Sequence, residues 1–177
     1  MTSCGPYQEM TNMTHFWDMG DYRGNPVGPF YNPESITGML YNDKRFSRIY
    51  YILVRAALAK DYDVIQANCT FFAPMDEYLR HIPEGVFVNM DRGTARSLIR
   101  ALTLDRRIPY ILIADAPVAT YDTRLVPNKL FISNISGEMY INNSIRVKPG
   151  DIKASNGILM IIEGLVWPEM DIGSPMW

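Results

Sequence analysis

The stretch ASNGILMIIEGLVWP, residues 154–168, most constrains the fold, because its nearly unbroken apolar run must be hidden from water. A membrane-spanning helix needs about 20 apolar residues, whereas Ile158 to Trp167 supplies about half that and carries Glu163. The run is rich in Ile, Leu and Val, follows the turn dipeptide Asn156–Gly157 and stops at Pro168. That pattern predicts a strand covered on both faces, with Gly164 marking a bulge or a close backbone approach.

The 177 residues suggest one domain with appendages, long enough to bury a real core. A formal net charge of −2 excludes a chain built to coat nucleic acid, since phosphate affinity rests on accumulated Lys and Arg. Cys4 and Cys69 stand far apart in no CxxC or Cys/His spacing, so neither a metal site nor a disulfide framework is expected. MTSCGPYQEM lacks the basic region and apolar run of a secretory signal, and Thr2 stands where myristoylation needs Gly. Neither export nor lipidation is therefore expected. The sequons at Asn12, Asn68, Asn134 and Asn142 then read as chance matches rather than glycan sites.

Residues 1–35 read as an extended arm, because Gly, Pro and Asn break regular structure. The arm nonetheless carries Phe16, Trp17, Tyr22, Phe30 and Tyr31. Residues 169–177 form a similar tail, with Met170, Met176 and Trp177. Aromatic residues and Met are enriched in interface cores, so these eight side chains are the expected partner-binding residues.

Residues 36–168 have the texture of a folded domain. Phe46, Ile49, Tyr50, Leu53 and Ala57 recur at helical spacing, with Lys44, Arg48 and Arg55 on the opposite face. TFFAPMDEYLRHIP predicts a strand entering a short helix, with Pro74 at the first helical position and Asp76 and Glu77 in the first turn. DRGTARSLIRALTL predicts a helix with Thr94 as N-cap and an apolar stripe of Ala95, Leu98, Ile99 and Leu102. PYILIA, KLFIS and EMYINNSIRV read as strands, the last folded at Asn142–Asn143. Helices precede most strands without βαβ alternation, which predicts an α+β fold.

The order of these pieces resembles the fasciclin-like domain family. TFFAPMDEYL (70–79) is similar to the family's TVFAPTDEAF-type strand-to-helix, and residues 154–168 to its ATNGVIHVIDxVLLP-type final strand. NDKRFSRI and GDIKASNG also resemble family segments, so the likeness covers residues 36–168. It implies a wedge of two β-sheets flanked by helices, used for adhesion and protein association rather than catalysis. TLDRRIPY follows LIRAL where many members carry a Tyr-His pair linked to integrin contact, and Met160 stands at the frequent His of the last strand. Integrin-type adhesion is accordingly not implied.

Catalysis needs convergent acid, base or nucleophile groups. His15 lies in the arm, His81 ends a short helix, and no HExxH, GxSxG or Gly-rich phosphate loop occurs. Asp115, Asp122 and Asp151 fall at strand ends and turns, where Asp serves backbone hydrogen bonding. Arg92, Arg96 and Arg100, with Arg106 and Arg107, read as the solvated face of an amphipathic helix rather than as a phosphate-binding stripe. No enzyme activity, cofactor or metal is expected. The sequence favours a structural module whose arms tie neighbouring subunits into a large assembly, such as a minor capsid or cement protein in the virion of a large DNA virus. The partners would then be other protein subunits, a major capsid protein among them, with no specific nucleic acid. One alternative is a secreted or cell-surface adhesion module. Another is a small-molecule or lipid-binding domain with a pocket lined by Phe71, Phe72, Tyr110 and Met160.

Overall fold

In the computed structural model, residues 31–116 and 118–168 are described. The chain enters the domain through Tyr31, whose ring meets Tyr41 and Tyr50 edge-on at 5.4 and 6.3 Å. Helix α1 (Ile36–Asn42) starts where the Ser35 side chain accepts from Gly38 N. Gly is required there: a Cβ on Gly38 would lie 1.9 Å from the Asn32 carbonyl oxygen.

After a 3₁₀ turn (Lys44–Phe46), helix α2 (Ser47–Arg55) buries Ile49, Tyr50, Ile52 and Leu53. Each such aliphatic side chain contributes roughly 1.5–3 kcal/mol by leaving water. The helix ends at Arg55, and Ala57, expected inside it, turns the chain away with φ 56°. Arg48 is also not on a solvated face. It is 2% exposed, its Nη1 donates to the Leu79 carbonyl at 2.7 Å, and its guanidinium lies 5.4 Å from the Phe87 ring centre.

Strand β1 (Cys69–Pro74) is wholly buried. Pro74 closes this strand instead of opening a helix, and the following helical segment is a 3₁₀ turn, Asp76–Leu79. Asp76 points back to α2, where it accepts from Arg48 N at 2.8 Å and from the Ser47 hydroxyl. Helix α3 (Glu84–Val88) leads to α4 (Arg92–Ala101), whose N-cap is Asp91 rather than Thr94. Asp91 accepts from Thr94 N, and bonding to Thr94 holds its carboxyl below the usual range. The stripe Ala95, Leu98, Ile99 and Leu102 is buried as expected from its spacing.

Strand β2 (Thr103–Leu104) precedes helix α5 (Tyr110–Asp115), where PYILIA had predicted a strand. The reason is tertiary: Asp151 Oδ1 accepts from Tyr110 N at 2.7 Å, giving the helix N-terminus a partner 41 residues away. Then follow β3 (Val118–Asp122), β4 (Lys129–Ile135), β5 (Glu138–Ile141), β6 (Ile145–Val147), β7 (Ile152–Ala154) and β8 (Gly157–Ile162). The β4–β5 turn at Ser136–Gly137 and the β5–β6 turn at Asn142–Asn143 both use left-handed residues, which suits the twist of tight hairpins.

The sheet among the described residues has eight strands, in the order β2-β1-β8-β6-β5-β4-β3, with β7 also on β8. β8, the apolar run, lies parallel to β1 through six residue pairs and antiparallel to β7. It is buried at five of six positions, as the sequence predicted. Gly157 is obligatory, because a Cβ there would sit 2.1 Å from the Cys69 carbonyl oxygen. Gly164 lies beyond the strand end, so it makes no bulge; it is the close approach, against Ile145. Only Val147↔Ile162 joins β6 to β8, so the sheet opens there into two halves. The Leu104↔Thr123 bridge draws its outer edges together into a wedge. Helices cover one half, and Phe71, Phe72 and Met160 are fully buried core residues.

Candidate interaction surface

The half-sheet β3-β4-β5-β6 presents one face to solvent, and its composition follows from register. Directly paired residues share a face, and so do residues two apart. The pairs Val118↔Ser133, Ser133↔Tyr140 and Tyr140↔Arg146 therefore form one row on the outer face. Thr120↔Phe131 and Ile135↔Glu138 form rows on either side. Val118 is 58% exposed and Ile135 44%. α5 enters β3 at the same end of this half-sheet, bringing Ile111 and Leu112, at 66% and 58% exposed.

Beside this apolar corner lies a charged centre. Arg146 Nη1 meets Glu163 Oε2 at 2.7 Å and Arg146 Nε meets Glu138 Oε1 at 3.3 Å, while the Tyr140 hydroxyl donates to Glu138 Oε2 at 3.0 Å. The bond to Glu163 raises the Arg146 pKa, and the bond to Glu138 raises that of Tyr140. An apolar patch bordered by Tyr, Arg and paired carboxylates has the make-up of a protein-binding face, where Tyr and Arg anchor contacts and polar groups form the rim.

Two arginines of the sequence stripe, Arg96 and Arg107, make structural bonds, as do Arg55 and Arg124 outside it. Arg96 donates to the Ala56 carbonyl at 3.0 Å, and Arg55 donates to Val88 and Met90 carbonyls at 2.5 and 2.9 Å. Arg124 donates to the Ala67 carbonyl, and Arg107 bonds Asn68 Oδ1 and the Ser155 carbonyl. With Arg48 on Leu79, four of these side chains close the carbonyl ends of short helical segments, where orphan acceptors and the helix dipole favour cations. Arg96 is thus a fastener of α2 and not part of a free solvated face, whereas Arg92 and Arg106 are exposed.

Two of the aspartates have structural partners, Asp122 pairing with Lys129 at 2.5 Å and Asp151 capping α5, while Asp115 is exposed at the end of that helix. His81 is exposed. Cys69 is fully buried, and burial pushes its thiol up to about 11. Burial also raises the Tyr62 phenol, whose hydroxyl lies 2.8 Å from Thr103 Oγ1. Among the described residues no group of His, Cys, Asp and Glu is placed to hold a metal ion, and no helix is long and apolar enough to cross a membrane. The suggested pocket does not bring its four residues together: Phe71, Phe72 and Met160 fill the core, while Tyr110 is half-buried on α5.

Of the sequons, Asn68, Asn134 and Asn142 are exposed and Asn12 lies outside the described residues. Thr70 of the Asn68 sequon is buried, donating to the Arg106 carbonyl and accepting from Ile108 N. Of the expected partner-binding residues, Phe16, Trp17, Tyr22, Phe30, Met170, Met176 and Trp177 also lie outside the described residues. Tyr31 is described; it is half-buried and its hydroxyl lies 3.2 Å from that of Tyr50. Ile111 and Leu112 were not singled out from sequence, because a strand reading hides every second residue. Their consecutive apolar character after Pro109 was the available signal.

The fold is an α+β wedge of one eight-stranded sheet and short helices among the described residues. The model of the fasciclin domain matches residues 44–168, and the chain belongs to that family. Among solved structures, it is similar to a FAS1 domain pair from the insect cell adhesion molecule fasciclin I. The TM-score is 0.63 at 17% identity, covering 78% of this chain and 51% of that one. The chain thus spans about half the length of that domain pair. No curated protein matches the chain.

Proposed function

We propose that this chain is a non-enzymatic protein–protein interaction module of the adhesion kind, working at an extracellular or cell surface. Its docking face is the outer face of β3-β4-β5-β6 together with α5. The observation that carries the reading is the cluster Ile111, Leu112, Val118 and Ile135, large apolar side chains left in water beside an Arg–Glu–Tyr network. Exposed apolar groups gathered at one site favour a partner, whereas scattered ones do not. Family membership supports the same reading. The role of a minor capsid or cement protein, with a major capsid protein as partner, rests on the arms, residues 1–35 and 169–177, whereas family membership supports the adhesion alternative.

The test is attachment of beads coated with the full chain to one another and to cells. The wild type is expected to promote attachment, and Ile111→Asp with Val118→Asp to abolish it. Both positions are exposed, so the circular dichroism spectrum should be unchanged. Attachment undiminished in a folded double variant would remove this face from the proposal; wild-type beads that attach to nothing would remove the adhesion reading.

A further inference from the structure

Asn156–Gly157 is the single Asn–Gly pair in the sequence. Asparagine is a thermolabile residue, and the reason is intramolecular: the backbone nitrogen of the next residue can attack the side-chain Cγ. A new N–C bond then closes a succinimide ring, the Cγ–Nδ2 bond breaks, and ammonia leaves. Water opens the ring at either carbonyl, giving aspartate or isoaspartate. Glycine, having no Cβ, leaves the attacking nitrogen unhindered.

The fold blocks each part of this reaction. Asn156 is fully buried and Gly157 is buried beside it, so water does not reach the dipeptide. The attacked group is fixed, since Oδ1 accepts from Ile36 N, and Nδ2, which must depart, donates to the Tyr62 and Val64 carbonyls. The attacking residue is fixed too: Gly157 pairs with Cys69 of β1 and with Ala154 of β7, and Cys69 N donates to the Asn156 carbonyl at 3.3 Å. Ser155, just before the pair, is clamped by Glu34, whose carbonyl accepts from Ser155 N at 2.8 Å, and by Arg107, whose Nη2 donates to the Ser155 carbonyl at 3.1 Å. The nitrogen of Gly157 therefore cannot turn onto Cγ unless the β7–β8 turn first leaves α1 and β1.

We infer that Asn156–Gly157 is a deamidation site that the fold masks and that opening of the wedge unmasks. Neither product fits the native turn. Aspartate sets a carboxylate against the Tyr62 and Val64 carbonyls, and isoaspartate lengthens the main chain by a carbon where Gly157 already lies against the Cys69 carbonyl. Reversible opening is thereby converted into permanent loss, and the frequency of opening sets the working life of the domain. This inference needs no partner and stands apart from the docking face on β3–β6.

Conversion at each asparagine of the full chain, read by peptide mass mapping after incubation at pH 8 in buffer or in guanidinium chloride, tests it. In denaturant Asn156 should convert first, ahead of Asn143, whose neighbour Ser144 is the next smallest. Asn156→Gln, which need not fold for this measurement, should lose that first product. In buffer, conversion of Asn156 should be slower by at least about a hundredfold, because even modest native stability keeps core openings rarer than that. Chain converted in denaturant and returned to buffer should unfold at a lower denaturant concentration than unconverted chain carried through the same steps. Equal rates at Asn156 in buffer and denaturant would overturn the inference. So would another asparagine converting first in denaturant, and so would converted chain whose unfolding midpoint is unshifted.

Discussion

Removing the Asn156 side chain puts the wedge's main stitch at risk. The residue is fully buried; its Oδ1 accepts from Ile36 N at 3.0 Å, and its Nδ2 donates to the Tyr62 and Val64 carbonyls at 2.7 and 3.0 Å. One side chain thus ties the β7–β8 turn to the start of α1 and to the loop before β1. In Asn156→Ala, Ile36 N loses its side-chain acceptor at a buried position, a cost of about 1–3 kcal/mol. The two carbonyls keep other donors, Thr37 N and Ala67 N, so each lost bond there costs only about 0.5–1.5 kcal/mol. The total is about 2–6 kcal/mol, and a mid-range loss of about 4 kcal/mol lowers Tm by roughly 12 °C in a chain of this size. Urea unfolding followed by circular dichroism measures it. Asn156→Asp keeps the acceptor for Ile36 N but sets a carboxylate against two carbonyls. Burial and those carbonyls raise its folded pKa above the unfolded value of about 3.9. Its deficit relative to wild type is therefore smallest below that pH and grows as pH rises through the folded pKa. A loss under about 1 kcal/mol in Asn156→Ala, or an Asn156→Asp deficit that does not change between acid and neutral pH, would refute the reasoning.

Gly157→Ala should cost about 3 kcal/mol, the upper end of what overpacking costs, or prevent folding, since its Cβ meets a backbone carbonyl held in β1; soluble yield and urea unfolding check this. With Cys4 replaced by Ser, Cys69 should not react with a disulfide reagent at pH 8 in the native protein, being buried with its thiol pushed up to about 11. In denaturant it should react completely. Arg55→Ala removes both donors to the Val88 and Met90 carbonyls and should cost about 1–3 kcal/mol. Hydrogen exchange should quicken first in residues 84–90.

Much of the wedge was legible in local pattern. KLFIS and EMYINNSIRV alternate around turns whose residues tolerate left-handed backbone, and turn chemistry is local, so β4, β5 and β6 could be placed from the chain alone. The stripe of α4 and the covered run of β8 were equally plain, because burial on one face or on two leaves a different periodicity. The docking face was less visible: that Val118, Tyr140 and Arg146 share a row is a matter of register between strands.

What the sequence by itself determined, then, is where apolar groups recur and where the chain can turn, because both depend on neighbours a few residues away. What only the tertiary structure decided is what distant polar groups do for one another. α5 is a helix because Asp151 reaches Tyr110 N, and Arg48 is buried because the Leu79 carbonyl and the Phe87 ring receive its charge. Asn156 can be buried because Ile36, Tyr62 and Val64 converge on it. A buried polar group is tolerated only where partners meet it, and which partners meet is settled by the packing of the whole wedge.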